Sequence, residues 1–307
     1  MLHKKCFLII VSALYMSLTY NSTAEACGGA APCFCGDTVT SNKNLSGADP
    51  IVGDKCSGNG LEVAAGVTLD LKGNTIQGLE NGIGLLINGN GVTIKNGKVE
   101  SFGTGVSGVT NESKIENVRA YFHVGDGIFL QGNENEVIGS PARHNGDNGY
   151  WIEGNGNTIS ATNNEYNGLD GIFVDGNGNF LLNNQASENS KALGSGLSGN
   201  GITVVGNGNT LDGNRISKKN DFGIFVEGDN NILTSNFATK GNKGGIKTFG
   251  HNNRLTDNKA TENHGGVGIL AEGSTDANNL NASTNNVVHG NACKVYNVTG
   301  PPQCIKK

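Results

Sequence analysis

The chain has 307 residues, a formal net charge of −5 and only 16% charged residues. It contains 49 glycines, 5 prolines and few aromatic residues (6%), and asparagine is frequent throughout. This composition excludes a broad globular core filled with large side chains. The lack of a basic block in the sequence argues against a nucleic-acid partner. A thin core built from a repeated unit is compatible with so many small residues and so few large ones.

Residues 1–26 are predicted to be a cleaved signal peptide. Lys4 and Lys5 form a positive start, an uncharged apolar stretch covers residues 7–18, and residues 24–26 read Ala-Glu-Ala, a small-x-small cleavage site. The alternative is a membrane anchor, but the apolar stretch is short for a bilayer span. Cleavage would leave Cys27 first, so a lipoprotein is a second alternative, although Glu25 fits a lipidation site poorly. We expect a secreted protein, periplasmic or extracellular, with no membrane span after cleavage.

Six of the seven cysteines follow the signal peptide, and an even count in an exported chain predicts disulfides. The preferred pairing is Cys27–Cys33, Cys35–Cys56 and Cys293–Cys304, although spacing alone leaves the connectivity open. A metal or redox motif at Cys33-Phe34-Cys35 is the alternative, but a zinc site would need a second cysteine pair. Disulfides at both ends would fasten the caps of an elongated body.

A repeated unit of the form G-I-x-V-x-G dominates the sequence. Its spacing is 21 to 23 residues, apart from one interval of 30 that marks an insertion within residues 190–199. The units begin at Gly84, Gly105, Gly127, Gly149, Gly171, Gly201, Gly223, Gly245 and Gly268. No linker interrupts them, so we predict one domain: an N-terminal cap and first coil over 27–83, repeats over 84–289, and a C-terminal cap over 290–307.

Apolar residues alternate within each unit, which is the period of a β-strand. Three inward columns are predicted. The first contains Ile128, Leu130, Ile172, Val174, Ile224 and Val226. The second contains Ile94, Ile115, Val137, Ile159, Leu181, Leu211, Leu233 and Leu255. The third contains Val99, Ala120, Ala142, Ala186, Ile216, Ala238 and Ala260. Three short strands per turn, stacked at strand spacing, predict an all-β, three-sheet solenoid with about 22 residues per coil.

Asparagine recurs at the predicted corners, where it tolerates left-handed backbone and bonds its own chain. Stacked in register, each amide can also bond the identical amide of the next coil. The three predicted columns are Asn135, Asn157, Asn179, Asn209, Asn231 and Asn253; Asn184, Asn214, Asn236 and Asn258; and, with a shift of one residue, Asn145, Asn167, Asn189, Asn220, Asn242 and Asn263. An asparagine-lined binding site is the alternative. The Gly-Asn-Gly-Asn segments are predicted turns, because no helix follows them to bind phosphate.

The repeats, with Cys-Gly-Asp-Thr at 35–38 and Val-Thr-Leu-Asp-Leu-x-Gly at 67–73, resemble bacterial right-handed β-helix repeat proteins of the pectin-lyase-like group. That group also includes NosD-like periplasmic proteins. The resemblance implies a single-stranded right-handed parallel β-helix with disulfide-bearing caps. It says little about reaction, because the repeats are scaffold. The polygalacturonase motifs Asn-Thr-Asp, Gly-His-Gly and Arg-Ile-Lys are absent, as is the Asp-Pro-His-Asp/Glu motif of alginate epimerases.

The third residue of each unit is predicted to point outward from the first sheet. Phe129, Trp151 and Phe173 would then form an exposed aromatic column on consecutive coils, with Phe225 further along. Large exposed apolar stripes mark partner or ligand surfaces, and flat rings suit sugar faces. The alternative is that the insertion, or another chain, covers the rings.

Carboxylates border this column and are candidate catalytic groups. Glu153 and Asp175 follow the aromatic positions, whereas Asp126, Asp147 and Asp170 precede the glycines. Acid pairs about 5–10 Å apart can cleave glycosidic bonds, and neighbouring coils would bring Glu153 and Asp175 into that range. The alternative is that these acids merely solvate the surface and discourage edge pairing.

Basic and histidine residues contribute less to the predicted site. Arg143 and His144 are candidate substrate-binding residues, whereas His123 falls in an asparagine column and is predicted to replace a ladder residue. The NosD-like resemblance suggests copper, but copper favours clustered His, Met or Cys, and the mature chain has no Met. No metal and no cofactor are predicted.

Three functions fit the sequence. The first is carbohydrate recognition, with Phe129, Trp151 and Phe173 as the platform and a polysaccharide or glycan as the partner. The second is a polysaccharide lyase or hydrolase that uses a carboxylate pair on the same face. The third is a non-catalytic structural or surface rod. The first is preferred, and whether the chain is an enzyme is left open.

Overall fold

The computed structural model describes the side chains of residues 25–189, 199–264 and 267–272, and the backbone of four further strands between 282 and 306. The predicted signal peptide is therefore outside the described residues except for its last two positions. The side chains of Cys293 and Cys304 are also outside them, so their pairing stays a prediction.

The described chain winds as a parallel solenoid of about 10 turns with about 22 residues per coil, which confirms the predicted all-β architecture. Every pairing between the described strands is parallel, and each strand pairs with the strand one coil away, for example Ile128 with Tyr150 and Tyr150 with Ile172. The register continues across the 30-residue interval, where Ile172 pairs with Ile202 and Phe180 with Thr210. The insertion therefore leaves the stacking of the sheets unchanged.

Each coil between Thr38 and His289 contributes one strand to each of three sheets. The first sheet consists of Ala26–Cys27, Thr38–Val39, Leu61–Ala64, Ile83–Asn88, Thr104–Val109, Ile128–Gln131, Tyr150–Glu153, Ile172–Asp175, Ile202–Val205, Phe222–Glu227, Gly244–Phe249, Val267–Glu272 and Ala292–Val295. The second sheet consists of Lys43–Asn44, Thr68–Asp70, Glu136–Ile138, Thr158–Ser160, Phe180–Leu182, Thr210–Asp212, Ile232–Thr234, Arg254–Thr256 and Ala282–Thr284. The third sheet consists of Lys55–Cys56, Thr75–Gly78, Ala142–Arg143, Asn163–Glu165, Gln185–Ser187, Arg215–Ser217, Phe237–Thr239, Lys259–Thr261, Asn286–His289 and Cys304–Lys306.

Two long strands, Thr93–Glu100 and Lys114–Tyr121, join the second and third sheets because each runs through both. A single 3₁₀ turn, Pro50–Val52, lies near the N-terminus of the described chain.

All three predicted inward columns are buried, with exposed fractions of 0–1%. One coil departs from the pattern. Tyr150 stands where neighbouring coils have isoleucine, and Asn164 stands where they have alanine, yet both are fully buried. The Asn164 amide oxygen accepts from the backbone N–H of Ala142 at 3.0 Å, so the polar group in the bore is partnered. The bore is otherwise mainly a narrow stack of aliphatic side chains, with Phe102 and Thr248 also fully buried.

The asparagine ladders form as predicted at every column position except Asn242. Asn209 is representative: its amide oxygen accepts from the backbone N–H of Asn179 at 2.8 Å and from its side chain at 3.1 Å. Its amide nitrogen donates to the Asn231 amide oxygen at 3.1 Å and to the carbonyl of Gly176 at 3.0 Å. These bonds satisfy corner backbone groups that are buried away from water.

His123 replaces an asparagine in a ladder, as predicted. The ring Nδ1 of His123 accepts from the backbone N–H of Phe102, and the backbone N–H of His123 donates to the Asn145 amide oxygen, both at 3.1 Å. Burial lowers the pKa of His123 to about 4, so the neutral ring that can accept this bond is favoured. The prediction for Asn242 is wrong: it is exposed, and the N–H of Gly241 takes the ladder bond to Asn263 at 2.9 Å.

The N-terminal region contains the disulfides Cys27–Cys33 and Cys35–Cys56, as predicted. A buried ion pair joins Lys43 Nζ to Asp49 Oδ1 at 2.7 Å. Strands of all three sheets are already present between Thr38 and Gly78, so regular coiling begins before residue 84. The division into caps and repeats stays a prediction.

Candidate functional site

The outward column of the first sheet is the candidate site. Strand register places its members side by side on successive coils: Leu86, Ser107, Phe129, Trp151, Phe173, Thr203, Phe225, Lys247 and Leu270. The inward neighbours of each member, such as Ile128 and Leu130, are anchored in the bore. The period-two alternation therefore fixes the outward direction of the column.

The three rings of the aromatic column touch in sequence. The ring centroids of Phe129 and Trp151 are 5.6 Å apart, and those of Trp151 and Phe173 are 5.9 Å apart. Both pairs meet edge to face, with interplanar angles of 83° and 79°. Trp151 is 36% exposed, whereas Phe129 and Phe173 are half-buried. The rings support one another as an apolar strip, but they do not form one coplanar platform.

Two of the predicted carboxylates lie at the end of the same strands. Glu153 and Asp175 are direct neighbours in the sheet, one coil apart, and the side chain of Gln131 donates to Glu153 Oε2 at 3.1 Å. Neither forms an ion pair with any residue among those the structure describes. This edge of the aromatic column is therefore acidic and uncompensated. Asp147, on the preceding side, is exposed.

Asp126 and Asp170 are built into a corner ladder. Asp126 Oδ1 accepts from the backbone N–H and the amide of Asn148, each at 2.9 Å, and the Asn148 amide oxygen accepts from the N–H of Asp170 at 3.1 Å. Asp170 Oδ1 in turn accepts from the N–H of Asn200. An asparagine at either position could accept the same hydrogen bond from the next coil, which indicates that these two aspartates have a structural role.

Burial changes the pKa of both ladder aspartates. Desolvation raises the pKa of Asp170 to about 6, although hydrogen bonds from Thr203 and Asn200 oppose the increase. Desolvation also raises the pKa of Asp126, against hydrogen bonds from Asn148. A raised pKa in a carboxyl group is a feature of general acids as well as of buried structural acids.

Phe225 belongs to a second aromatic cluster and not to the column of Trp151. Thr203, which is 6% exposed, separates it from Phe173. Its ring contacts Phe222 and Phe249 at centroid distances of 6.2 Å and 5.7 Å. The ammonium group of Lys247 lies 4.2 Å from the Phe249 centroid. The first sheet thus has an acidic aromatic part and a separate part that carries a cation.

Arg143 and His144 lie with the third sheet, away from the first-sheet strands. Arg143 Nε is 3.6 Å from Glu165 Oε2. His144 is sandwiched between parallel rings, with centroid distances of 5.1 Å to Phe122 and 4.9 Å to Tyr166. This stack was not predicted from the sequence, although its three ring-bearing members recur at the 22-residue period.

No group of three or more metal-ligating side chains occurs among residues 25–189, 199–264 and 267–272. In the same ranges there is also no helix of the length and apolarity needed to cross a membrane.

Comparison with solved structures finds similar chains at low identity, two of them with a TM-score of 0.50. The catalytic domain of Agl-KA aligns with a TM-score of 0.50 and 14% identity over 88% of this chain and 60% of that domain. A periplasmic alginate epimerase, AlgG, aligns with a TM-score of 0.50 and 14% identity over 84% of both chains. The pectate lyase Pel9A aligns with a TM-score of 0.41 and 18% identity over 91% of this chain and 68% of the lyase.

The chain spans 60% of the length of the Agl-KA domain. No curated protein matches the sequence. A family model described as a right handed beta helix region matches residues 59–207 and 170–303. These two overlapping matches cover most of the chain and agree with the hand that the sequence resemblance implied. The chain therefore belongs to the right-handed β-helix region family.

Proposed function

We propose that this protein works outside the cytoplasm and recognises carbohydrate on the outward face of its first sheet. The observation that carries the proposal is the aromatic column of Phe129, Trp151 and Phe173. It is continuous over three coils, and Trp151 remains 36% exposed at its centre. An exposed apolar strip on a rigid sheet is the kind of surface that binds a ligand. The two disulfides support an oxidising location.

The charges beside the aromatic column favour a neutral glycan. Glu153, Asp175 and Asp147 border the rings, and a polyanion would be repelled from them. The candidate cation Arg143 is already paired with Glu165, and Lys218 and Lys219 lie within 4.0 Å and 3.7 Å of Glu188. Periplasmic alginate epimerase shares the fold, so a carbohydrate role has precedent in this architecture.

An enzyme at the same face is the second candidate, and the adjacency of Glu153 and Asp175 supports it. Strands of one sheet lie about 4.8 Å apart, which suits a pair of carboxylates acting on one glycosidic bond. Asp126 and Asp170 are weaker candidates, because each accepts hydrogen bonds from the ladder residue of the next coil.

The test is a glycan array with the disulfide-intact protein, read for both retained protein and released products. Retention without products would support recognition, and products would support catalysis by Glu153 or Asp175. The variant Trp151→Ala should weaken binding of a retained glycan by about tenfold or more, because truncating a central aromatic contact removes more than about 1.4 kcal/mol.

The matched control is Phe180→Ala, which removes a ring that is 44% exposed on the second sheet. It should leave glycan binding unchanged. Equal binding by wild type and Trp151→Ala would reject the proposed surface. If the wild type neither binds nor cleaves any glycan on a broad array, the structural rod is favoured.

A further inference from the structure

A groove crosses the outward face of the third sheet, well apart from the aromatic column. It consists of two adjoining depressions of about 240 Å³ and 500 Å³. Arg215 and Phe237 line both of them. The first depression is completed by Glu165, Gln185, Ser187 and Ser217, and the second by Asn183, Ser235, Asp257 and Lys259.

The sequence creates the groove by a change of side-chain size along one outward column. Strand register aligns Tyr121, Arg143 and Glu165 with the residues of the following coils. Those later positions carry only short side chains: Ser187, Ser217, Thr239 and Thr261. The parallel column keeps long side chains at Gln185, Arg215, Phe237 and Lys259. Ser187 and Ser217 thus form the floor of the smaller depression, and Arg215 and Phe237 form the wall that it shares with the larger one.

The two cations of the column with long side chains have no acidic partner among the described residues. Two other cations of the sheet are paired: Lys98 Nζ is 2.8 Å from Glu100, and Arg143 Nε is 3.6 Å from Glu165. Arg215 forms no such pair, and Lys259 instead lies 5.4 Å from the centroid of the Phe237 ring.

The acids of the groove do not cancel these cations. Glu165 is occupied by Arg143 and by the hydroxyl of Ser187, which donates at 3.1 Å. Asp257 is the remaining carboxylate. It lines only the larger depression and forms no ion pair with a described residue. A ligand that reaches Arg215 from the smaller depression therefore meets a guanidinium group without an acidic partner among the described residues, beside two serines and a Glu165 carboxylate that is already paired with Arg143.

We propose that this groove binds an acidic saccharide, with a carboxylate or sulfate group on Arg215 and the apolar face of its sugar ring on Phe237. The planar guanidinium fork donates two parallel hydrogen bonds to such an anion. Gln185, Ser187 and Ser217 supply neutral partners for sugar hydroxyls. Lys259, two strands and about 10 Å away, lies within reach of the next acidic sugar.

The proposal does not depend on the first-sheet function, because the two faces share no residue. The probes are trigalacturonate, the same trisaccharide with its carboxyl groups methyl-esterified, and a sulfated galactotriose, each titrated into the intact protein by calorimetry. The acidic trisaccharides should bind and the esterified one should not. Preference between carboxylate and sulfate distinguishes the two possible sources of the anion.

The variant Arg215→Gln should weaken binding of the preferred probe by about tenfold or more, since it removes a charge-assisted bidentate contact. The matched control is Arg254→Gln, which makes the same charge change at an exposed position on the second sheet. It should change the affinity by less than about twofold, as expected for a remote surface charge screened by salt.

Three results would overturn the proposal: no binding of either acidic probe at millimolar concentration, equal binding of the esterified probe, or equal losses for Arg215→Gln and Arg254→Gln. Trp151→Ala should leave this binding unchanged. If the glycan-array test of the first sheet fails while Arg215→Gln still weakens binding of the acidic probe, the proposed function is rejected and the groove proposal stands.

Discussion

The corner ladders and the outward column of the first sheet repeat with the same period but obey different rules. In the ladder of Asn209, each side chain bonds the identical side chain of the next coil, so a different residue would break two contacts. In the outward column, Phe173, Thr203 and Phe225 are neighbours that need no common chemistry. Strict repetition therefore marks residues that maintain the stack, and variation marks the positions where a recognition surface can be built.

The largest expected effect comes from breaking the inward side of a first-sheet strand. Val174 is fully buried, and Val174→Asp would place a carboxylate in the bore without a partner. We expect a loss of at least about 4 kcal/mol in the free energy of unfolding. Val205→Asp makes the same change at the partly exposed end of the next strand and should cost less than about 1 kcal/mol.

Urea denaturation monitored by circular dichroism would compare the two variants. A normal unfolding curve for Val174→Asp would mean that the inward column is incorrectly assigned.

A smaller effect is expected from interrupting a ladder. Asn209→Ala removes side-chain bonds to Asn179, Asn231 and the carbonyl of Gly176, and it leaves their buried groups unpaired. The cost should be about 2–3 kcal/mol. Asn207→Ala, at an exposed turn of the same coil, removes one acceptor for the N–H of Asp229 and should cost about 1 kcal/mol or less, because water replaces it.

Thermal unfolding would rank these two alanine variants. Similar losses for both would show that the buried ladder has no special contribution.

The smallest effect concerns Asp170 and depends on pH. Its folded pKa of about 6 is above the usual value of 3.8, so the folded state binds more protons than the unfolded state between those pH values. Stability should therefore fall as the pH rises from about 4 to 6 and remain lower at neutral pH. Asp170→Asn should remove this loss and be about 2 kcal/mol more stable than wild type at pH 7, and nearly equal at pH 4.

Denaturation at pH 4 and pH 7 would measure the difference between wild type and Asp170→Asn. A less stable variant at pH 7 would show that the charged carboxylate has a role that the ladder does not explain.

The strands, the bore and the ladders could be predicted from the sequence because each coil repeats the same pattern of inward, outward and corner residues. Ile172 and Ile224 occupy equivalent positions, and so do Asn157 and Asn231, so one interpretation applies to every coil. His123 could be assigned in the same way, since it interrupts a column of asparagines.

Parts of the candidate site were beyond sequence reasoning, because they depend on packing between unlike residues. The edge-to-face tilt of Trp151 against Phe129 is set by local packing and leaves no periodic signal. The third-sheet groove arises where side chains become short, at Ser187 and Ser217. Serines in such positions carry no sequence pattern that predicts a binding site. Asp170 did leave a signal, since Asn148 and Asn200 occupy its column, but the sequence interpretation made it a candidate catalytic acid.

The bonding of identical asparagines also has a genetic consequence. A duplication of 22 codons that begins and ends at the same corner would produce a coil whose ladder residues match those of its parent. The new coil would stack on its own copy without any compensating substitution, and each such event would lengthen both outer faces by about 4.8 Å. The length of the molecule is therefore open to change by unequal recombination, one coil at a time, while its cross-section stays constant.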